Sequence, residues 1–546
     1  MNRLFVTKSI GAGVLLGLLI LPVQACTNLD EEPLSVISTG SFFRNEAEVR
    51  AGLAGVYAQL RSTAPEGAIY DANEVTTDEI VVPIRGSDWN DNGQWIDLHN
   101  QTWSPTSIAA ANFFNGAWNA AYTGVARANL FISAMEDATV PNQATYLAEG
   151  RALRAFYYYI LMDHFGGVPI VTTTDIGFQA RSTRRELFDF IESELIAARD
   201  SGLPDTWDAA NHGRLTKGAA DAILANMYLN AGVFTKDGAG GGGILAAGYN
   251  TCLGVLVRGG QDACQAAIDA SDRILNSGNY QLADSFPKAF RHDNASSPEN
   301  IFVVKFIAAD GVGIGVAMAA LHYCQYAPLT PWNGFSTLAE TYNAFDATDV
   351  RRNVILMGPQ RDVLTGALVT VRVSGACPPY TPANALVFTD TIPDIRSATE
   401  SQGGRIYKWP ADPAHVQQNS GNDFAWFRLG EIYLIKAEAL NEQSAGSAAA
   451  LALLNTLRAR APGQAVNTPL AGPIDRAMIL DERLFELFGE SKRRQDLIRF
   501  GQYTGRTDAA SGLVGGKQAR PDHYVLMPIP QTQINANPLL TQNPGY

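Results

Sequence analysis

The apolar residues of segment 142–165 restrict the fold of this 546-residue chain more than any other feature. Leu147, Gly150, Leu153 and Tyr157 recur at steps of three and four residues, which places them on one face of an α-helix. Two glycines and the extended stretch VPIVTTT follow, and glycine commonly marks the end of a helix. The segment therefore predicts a long helix that ends sharply.

The same spacing of apolar residues recurs elsewhere in the chain. It appears at residues 186–199, 216–230, 265–275, 424–441 and 448–460. The short linker QSAGS joins the last two segments, which predicts an αα-hairpin. This pairing resembles tetratricopeptide repeats, and an α-solenoid of such hairpins offers a docking surface rather than a catalytic cavity. We therefore predict a mainly α protein built from tetratricopeptide-like helical hairpins.

The pattern changes between residues 286 and 413. Short β-branched runs such as IFVVKFIAAD and VLTGALVTVRV alternate there with glycine, proline and aromatic residues. Connecting segments of this kind lie on the protein surface, where binding residues concentrate. We expect a loop-rich layer with short strands that covers the helical body and carries the ligand face.

The charge of the chain limits its partners. Its 41 lysines and arginines are outnumbered by 54 aspartates and glutamates. Because an acidic protein is repelled by phosphate groups, nucleic acid and anionic membrane surfaces are disfavoured as partners. No segment after residue 25 is long and apolar enough to cross a membrane, so we expect any attachment to be through lipid.

The N-terminus has the features of an exported lipoprotein. Arg3 and Lys8 precede the uncharged run IGAGVLLGLLIL, which suits a secretory signal but is too short to span a bilayer. The following residues VQAC resemble the lipobox of bacterial lipoproteins, in which the cysteine is lipidated. We predict a signal peptide at residues 1–25, lipidation of Cys26 and a lipid-anchored tether at residues 26–45. Ordinary signal cleavage that leaves this cysteine free is the alternative.

Four more cysteines follow at Cys252, Cys264, Cys324 and Cys377. An exported chain matures in an oxidising compartment, so this even number predicts up to two disulfides, with three possible pairings. We favour Cys252–Cys264, which closes a short loop containing two adjacent glycines, and Cys324–Cys377. A metal site is the rival interpretation, but the sequence has no CxxC motif and no clustered histidines.

Four stretches, in their order along the chain, are similar to the SusD/RagB family of outer-membrane nutrient-binding lipoproteins. They are RALRAFYYY running into DHFGGVPIV, then FRLGEIYLIKAEALNE, DERLFELFGESKRRQDLIRFG and LMPIPQTQINANPLLTQNPGY. The resemblance implies a protein that captures an oligosaccharide or similar nutrient and delivers it to a TonB-dependent, SusC-like outer-membrane transporter. It also implies attachment to outer-membrane lipid through Cys26, exposure at the cell surface, and an export signal at Asp30, Glu31 and Glu32.

The resemblance also divides the chain. It implies an N-terminal helical region at residues 46–285, with a ligand-loop insertion at residues 74–105, and a C-terminal SusD/RagB-like region at residues 286–546. Acidic and basic residues alternate at helical spacing within segment 481–499. Such pairs form either a solvated face or a buried network, and we expect their role to be structural.

Two aromatic-rich loops form the candidate ligand site. Residues 85–103 contain three of the eight tryptophans, and residues 322–335 contain a second concentration of aromatic rings. Aromatic rings, carboxylates and amides suit the apolar faces and the hydroxyl groups of sugars. The predicted ligand-binding residues are Asp88, Trp89, Asn90, Trp95, Tyr326 and Trp332. We expect Trp89 and Trp95 to face solvent and Trp103 to lie in the core. Alternatively, these rings pack the loops onto the helices or face the transporter.

No motif in the sequence requires catalysis. Asp78 and Glu79 are adjacent in sequence, which does not fix the separation that glycosidases need between their carboxylates. The seven histidines form no HExxH motif. We therefore predict a binding protein rather than an enzyme, without a cofactor or a metal. Two alternatives stay open: a surface-anchored glycoside hydrolase, and a helical-repeat envelope scaffold without a small-molecule ligand.

Overall fold

The computed structural model of the protein describes residues 43–236, 248–460 and 465–546. The predicted signal peptide, the predicted lipidation site Cys26 and the acidic residues 30–32 lie outside the described residues. Within the described part of the chain, no helix combines the length and the apolarity that a membrane crossing requires.

Helices dominate the described residues. They are α1 (Glu46–Ala58), α2 (Ala68–Glu74), α3 (Gln94–Asn100), α4 (Asn115–Glu136), α5 (Gln143–Phe165), α6 (Arg184–Ser201), α7 (Lys217–Leu229), α8 (Ala231–Phe234), α9 (Ala263–Leu275), α10 (Val316–Ala320), α11 (Ala339–Ala344), α12 (Leu429–Gln443), α13 (Ala448–Ala459), α14 (Arg476–Leu487), α15 (Arg493–Arg499) and α16 (Gln531–Ala536). Helices α4 to α7 pack in sequence order, α7 packs on α9, and α12 packs on both α9 and α13. This arrangement confirms the predicted mainly α fold of tetratricopeptide-like hairpins.

Local sequence explains where these helices begin and how closely they pack. Thr183 and Glu186 form a reciprocal capping box at the start of α6, which satisfies backbone N–H groups that lack partners within the helix. Gly124 of α4 allows α5 to approach, because a Cβ atom there would lie 2.5 Å from the ring of Tyr157. The pairing of α4 with α5 thus depends on a glycine at the contact.

The strands are short and lie mostly between the two groups of helices in sequence. They are β1 (Asn300–Val304), β2 (Ser336–Thr337), β3 (Ile355–Leu356), β4 (Gly358–Pro359), β5 (Val387–Phe388), β6 (Gly404–Ile406) and β7 (Phe424–Arg428). Among the described residues, β1 pairs with β7, β6 lies between β2 and β3, and β4 pairs with β5, all antiparallel. The loop-rich, short-strand layer expected from the sequence is therefore present.

The predicted start of the helix at residue 424 is wrong. Phe424–Arg428 forms β7, all five residues are buried, and α12 begins only at Leu429. The sequence FAWFR is rich in aromatic residues, which favour a strand that is covered on both faces. Pairing with β1 and burial therefore outweigh the helical spacing that continues downstream.

Both disulfides join the cysteines that the sequence favours. The Cα atoms are 4.9 Å apart in Cys252–Cys264 and 5.8 Å apart in Cys324–Cys377, within the usual range for a disulfide. The second disulfide connects the segment that contains Tyr323 to the segment that contains Arg372. It therefore holds together two loops that contribute to the candidate site.

The alternating charges near the C-terminus form a buried network. Glu486 of α14 accepts hydrogen bonds from Arg428 at 2.7 Å, from Arg351 at 3.0 Å and from Arg460. These four side chains are at most 1% exposed. Burial alone raises the pKa of Glu486, but the three guanidinium groups outweigh burial and hold this pKa well below its usual range. The network thereby connects α14 to the start of α12 and to the turn at Val350–Val354.

Candidate functional site

The two aromatic-rich loops meet at a surface depression of about 470 Å³. It is lined by Ser87, Asp88, Trp89, Asp91, Tyr323, Thr330, Pro331, Trp332 and Arg372. We call this site the Trp332 depression. Three residues predicted from the sequence, Asp88, Trp89 and Trp332, therefore lie together, although the loops are more than 200 residues apart in the chain.

Backbone atoms of the second loop fix the indole ring of Trp89. Its Nε1 donates a hydrogen bond to the Trp332 carbonyl oxygen at 2.6 Å. The ring lies against Gly334, where an added Cβ atom would come within 2.2 Å of it. Trp89 also adopts a left-handed φ of 63°, which is unusual for a bulky residue. The half-buried ring is therefore held in one orientation at the edge of the depression.

Trp332 offers the most exposed aromatic surface at the site. Its side chain is 37% exposed. Its backbone N–H donates to the Met318 carbonyl oxygen at 2.7 Å, so the chain that carries the ring is anchored to α10. An exposed ring on an anchored backbone loses little conformational freedom when it binds a ligand.

A charged cluster forms the opposite side of the depression. The Tyr323 hydroxyl donates to Asp88 Oδ2 at 2.5 Å, and the Arg372 guanidinium lies 3.2 Å from the centroid of the Tyr323 ring. Arg372 Nε donates to Glu400 Oε1 at 2.7 Å. Burial raises the pKa of Tyr323, and Asp88 raises it further through its hydrogen bond and its charge. Tyr323 therefore remains a protonated donor that orients Asp88.

Glu400 connects Arg372 of this cluster to His322. Its Oε2 lies 3.0 Å from His322 Nε2. Although burial raises the pKa of Glu400, the hydrogen bonds of His322 and Arg372 lower it to about 2. Glu400 is therefore ionised, whereas a glycosidase acid needs a raised pKa. Across the described residues, no group of three or more His, Cys, Asp or Glu side chains is arranged to hold a metal ion.

Trp95 does not face solvent, so that expectation is wrong. Its side chain is 7% exposed and packs between Phe113 and Phe335, with ring centroids 4.9 and 5.9 Å away. Its Nε1 donates to Asp91 Oδ2 at 2.8 Å. The ring of Trp95 is therefore buried between two phenylalanine rings. Trp95 instead supports Trp89, whose ring centroid lies 5.4 Å away.

Tyr326 and Asn90 also lie away from the lining of the depression. Tyr326 is fully buried in a cluster with Leu321 and Ala411, and its hydroxyl donates to the Asp412 carbonyl oxygen. The sequence predicts Tyr326 as a ligand-binding residue, but burial in this apolar cluster leaves its ring inaccessible to a ligand. Asn90 is exposed beside the depression but does not line it. Trp103 is 1% exposed, as expected for a core residue.

Among the lining residues that the sequence prediction did not include, Tyr323 and Arg372 form the charged cluster of the site. Tyr323 lies in the second aromatic loop, but nothing in its local sequence distinguishes its role from that of Tyr326. Arg372 belongs to neither loop. The Cys324–Cys377 pairing was the one available signal, because it brings the segment around residue 372 next to Tyr323.

Family models match most of the chain in two parts. The model described as "SusD family" matches residues 332–546, and the model described as "Starch-binding associating with outer membrane" matches residues 29–229. The first match includes Trp332 and Arg372, and the second includes Asp88 and Trp89. Both loops of the depression therefore lie at least partly within matched segments.

Curated relatives match over nearly the whole length. SusD-like protein P2 from Formosa agariphila is 25% identical over 564 residues, which cover 97% of this chain and 98% of the relative. Starch-binding protein SusD from Bacteroides thetaiotaomicron is 24% identical and covers 99% of each chain.

Solved structures share the fold. A laminarin-binding SusD-like protein has a TM-score of 0.69 at 23% identity, and covers 92% of this chain and all of its own. Surface glycan-binding protein A from Bacteroides thetaiotaomicron, in complex with laminarihexaose, has a TM-score of 0.68 at 21% identity. This match covers 91% of the present chain and 99% of the solved one.

Proposed function

This chain belongs to the SusD family, and on that basis we propose that it captures a carbohydrate at the outer surface of the outer membrane. The observation that carries the proposal is the exposed Trp332 ring beside the fixed Trp89 ring. The names of two similar proteins, one starch-binding and one solved with laminarihexaose, support the same ligand class. An aromatic-lined depression also favours a small-molecule ligand over a pure scaffolding role.

The depression suits both parts of a sugar. The apolar face of a sugar ring stacks on Trp332, which contributes about 1 kcal/mol beyond the burial of area. Hydroxyl groups of the sugar donate to the carboxylates of Asp88 and Asp91 and exchange hydrogen bonds with Ser87. Because Tyr323 and Arg372 already hold Asp88 in place, its carboxylate need not be reoriented on binding. We propose binding without hydrolysis of the bound sugar.

Replacing Trp332 with Ala is expected to weaken oligosaccharide binding about tenfold to thirtyfold. Truncating a central aromatic anchor often costs 2 kcal/mol or more, and each 1.4 kcal/mol is about a tenfold change in affinity. Calorimetric titration with laminari- and malto-oligosaccharides measures the effect. Tyr380→Ala is the matched control, because Tyr380 is 41% exposed and lies outside the depression.

Two results would contradict the assignment of this site. If Trp332→Ala binds a glycan as tightly as the wild type does, the ligand contacts lie elsewhere. If the variant instead unfolds at a markedly lower temperature than Tyr380→Ala, Trp332 serves packing rather than binding.

We further propose that the chain delivers its ligand to a TonB-dependent outer-membrane transporter. An exposed apolar loop between α5 and α6 supports a protein partner: Ile176 is fully exposed and Phe178 is 63% exposed. The same face carries Leu539, which is 50% exposed, near the point where Asn537 donates to the Gln179 carbonyl oxygen at 2.8 Å. Exposed apolar residues that lie together on a protein surface often mark a contact with another protein.

Phe178→Asp is expected to reduce copurification of the transporter at least tenfold, because it places an unpaired charge in an apolar contact. The measurement is the amount of transporter that copurifies from mild detergent at native expression. Leu253→Asp is the control, since Leu253 is 47% exposed outside this loop. If equal amounts of transporter copurify with both variants, the contact lies elsewhere on the protein. If no transporter copurifies with the wild type, the delivery proposal is contradicted.

A further inference from the structure

Residues 205–214 repeat the local sequence feature of the two aromatic loops. In all three places a tryptophan stands directly before Asn or Asp, outside any helix or strand: Trp89–Asn90, Trp332–Asn333 and Trp207–Asp208. Such residues favour turns, which display a neighbouring ring at the surface. Trp207 thus has the local setting of the two tryptophans already discussed, although it belongs to neither loop.

Trp207 borders a hollow of about 400 Å³ between the segment before α7 and the segment before β1. Its polar lining includes Asp205, Thr206, Ser296 and Asn300. We call it the Trp207 hollow. None of the described residues that line it also lines the Trp332 depression, so the two are separate sites of similar volume.

The Trp207 ring is held in place before any ligand arrives. Its Nε1 donates to the Leu215 carbonyl oxygen at 2.9 Å, and the Arg214 guanidinium lies 3.7 Å from a ring centroid. Arg214 is fixed in turn by two hydrogen bonds to Glu149, at 3.1 and 2.5 Å, and the Glu149 side chain is fully buried. A partly buried ion pair therefore orients the Trp207 ring.

One polar atom at the hollow lacks a partner. The side-chain oxygen Oδ1 of Asn300 is buried and accepts no hydrogen bond from any described residue. Because this atom is itself buried, a ligand hydroxyl does not reach it in the structure. An accessible acceptor at the hollow is instead Asp205, which is 69% exposed and pairs with Lys217 at 3.1 Å.

We propose that the Trp207 hollow is a second carbohydrate subsite, which takes a neutral sugar residue. A sugar ring stacks on Trp207, and its hydroxyl groups donate to the exposed carboxylates of Asp205 and Asp208. Glu149 neutralises Arg214 and Lys217 neutralises Asp205, so the exposed carboxylate of Asp208 is the charge that repels uronate and sulfate groups. This inference rests on the proposed function and adds a second point of attachment, which favours long glycans over short ones.

The test uses the full chain in lauryldimethylamine oxide, because a glycoside detergent would compete for sugar sites. The probes are laminarihexaose and maltohexaose, each with its parent polymer, laminarin or amylose. We expect Trp207→Ala to lower affinity for a polymer at least tenfold and to leave hexasaccharide affinity at the Trp332 depression within twofold. Trp332→Ala should still bind a hexasaccharide weakly at the Trp207 hollow. The double variant Trp207→Ala/Trp332→Ala should lose this residual binding.

Ala295→Trp is the second variant. Ala295 is exposed and lines the hollow, so a tryptophan there fills the hollow without disturbing the Trp207–Arg214 stack. It should reproduce the effect of Trp207→Ala even if that variant folds poorly. Unchanged polymer affinity in Ala295→Trp, or complete loss of binding in Trp332→Ala alone, would overturn the second subsite and leave the proposed function intact. Absence of binding to every probe by the wild type would overturn both.

Discussion

Replacing Glu486 with Gln is expected to lower the free energy of unfolding by about 3–5 kcal/mol. Glu486 is the carboxylate on which Arg351, Arg428 and Arg460 converge, and it is completely buried. Glutamine keeps the shape of the side chain but removes its charge. The surrounding network has five basic and five acidic members: Arg351, Lys408, Arg428, Arg458, Arg460, Glu299, Asp349, Glu482, Glu486 and Glu490. The variant therefore leaves an uncompensated buried positive charge.

Urea unfolding followed by circular dichroism measures this effect. Asp189→Asn is the matched control, because it breaks the Arg185–Asp189 pair, whose side chains are 39% and 49% exposed. Exposed pairs contribute about 0–1 kcal/mol, so the control should unfold close to the wild-type midpoint. If Glu486→Gln also stays within about 1 kcal/mol of the wild type, the network does not stabilise the fold.

The same carboxylate gives the stability a dependence on pH. Because the folded-state pKa of Glu486 lies below its unfolded value of about 4.3, its contribution is fully present above that value. It is lost as the pH falls through the folded-state pKa. Acidification below about pH 4 should therefore destabilise the wild type more steeply than Glu486→Gln.

Cys26→Ala is expected to move the protein from the membrane fraction to the soluble fraction almost completely. The lipobox-like VQAC supplies the one predicted point of lipid attachment, and two or more acyl chains anchor a protein far more firmly than one. Fractionation of cells followed by immunoblotting measures the distribution, and mass spectrometry of the wild-type N-terminus tests for the lipid.

Cys377→Ala is the control for loss of a cysteine without loss of the predicted anchor. Its sulfur belongs to the disulfide with Cys324, so this variant should stay in the membrane fraction. A membrane-bound Cys26→Ala protein, together with a wild-type N-terminus that carries no lipid, would show that the lipoprotein prediction is wrong.

The helices could be predicted from the sequence because the spacing of apolar residues at steps of three and four depends only on neighbours along the chain. The segment 142–165 differs from the observed Gln143–Phe165 by one residue. Phe424–Arg428 was mispredicted because its strand depends on pairing with β1, which lies more than a hundred residues earlier in the chain. The spacing of apolar residues indicates which face of a helix is buried. The pairing of a strand depends on a partner strand that is distant in the sequence.

The candidate site was predictable in composition but not in detail. Trp89 and Trp95 have similar neighbours in sequence, yet Phe113 and Phe335 bury only Trp95 completely. Arg372 reaches the depression from a third segment, and no local pattern indicates where that segment lies. The sequence therefore identified the two loops, while exposure of individual rings depended on contacts made after folding.

The orientation of Trp89 depends on the main chain of the facing loop, through the Trp332 carbonyl oxygen and the bare Cα of Gly334. Ser87 and Thr330 also line the depression, but the indole N–H of Trp89 donates to neither of them. Under the proposed function, we expect substitutions at those positions to change which hydroxyl groups are recognised and to leave the stacking platform in place. Under that proposal, single substitutions at the rim are expected to change glycan preference without moving the Trp89 ring.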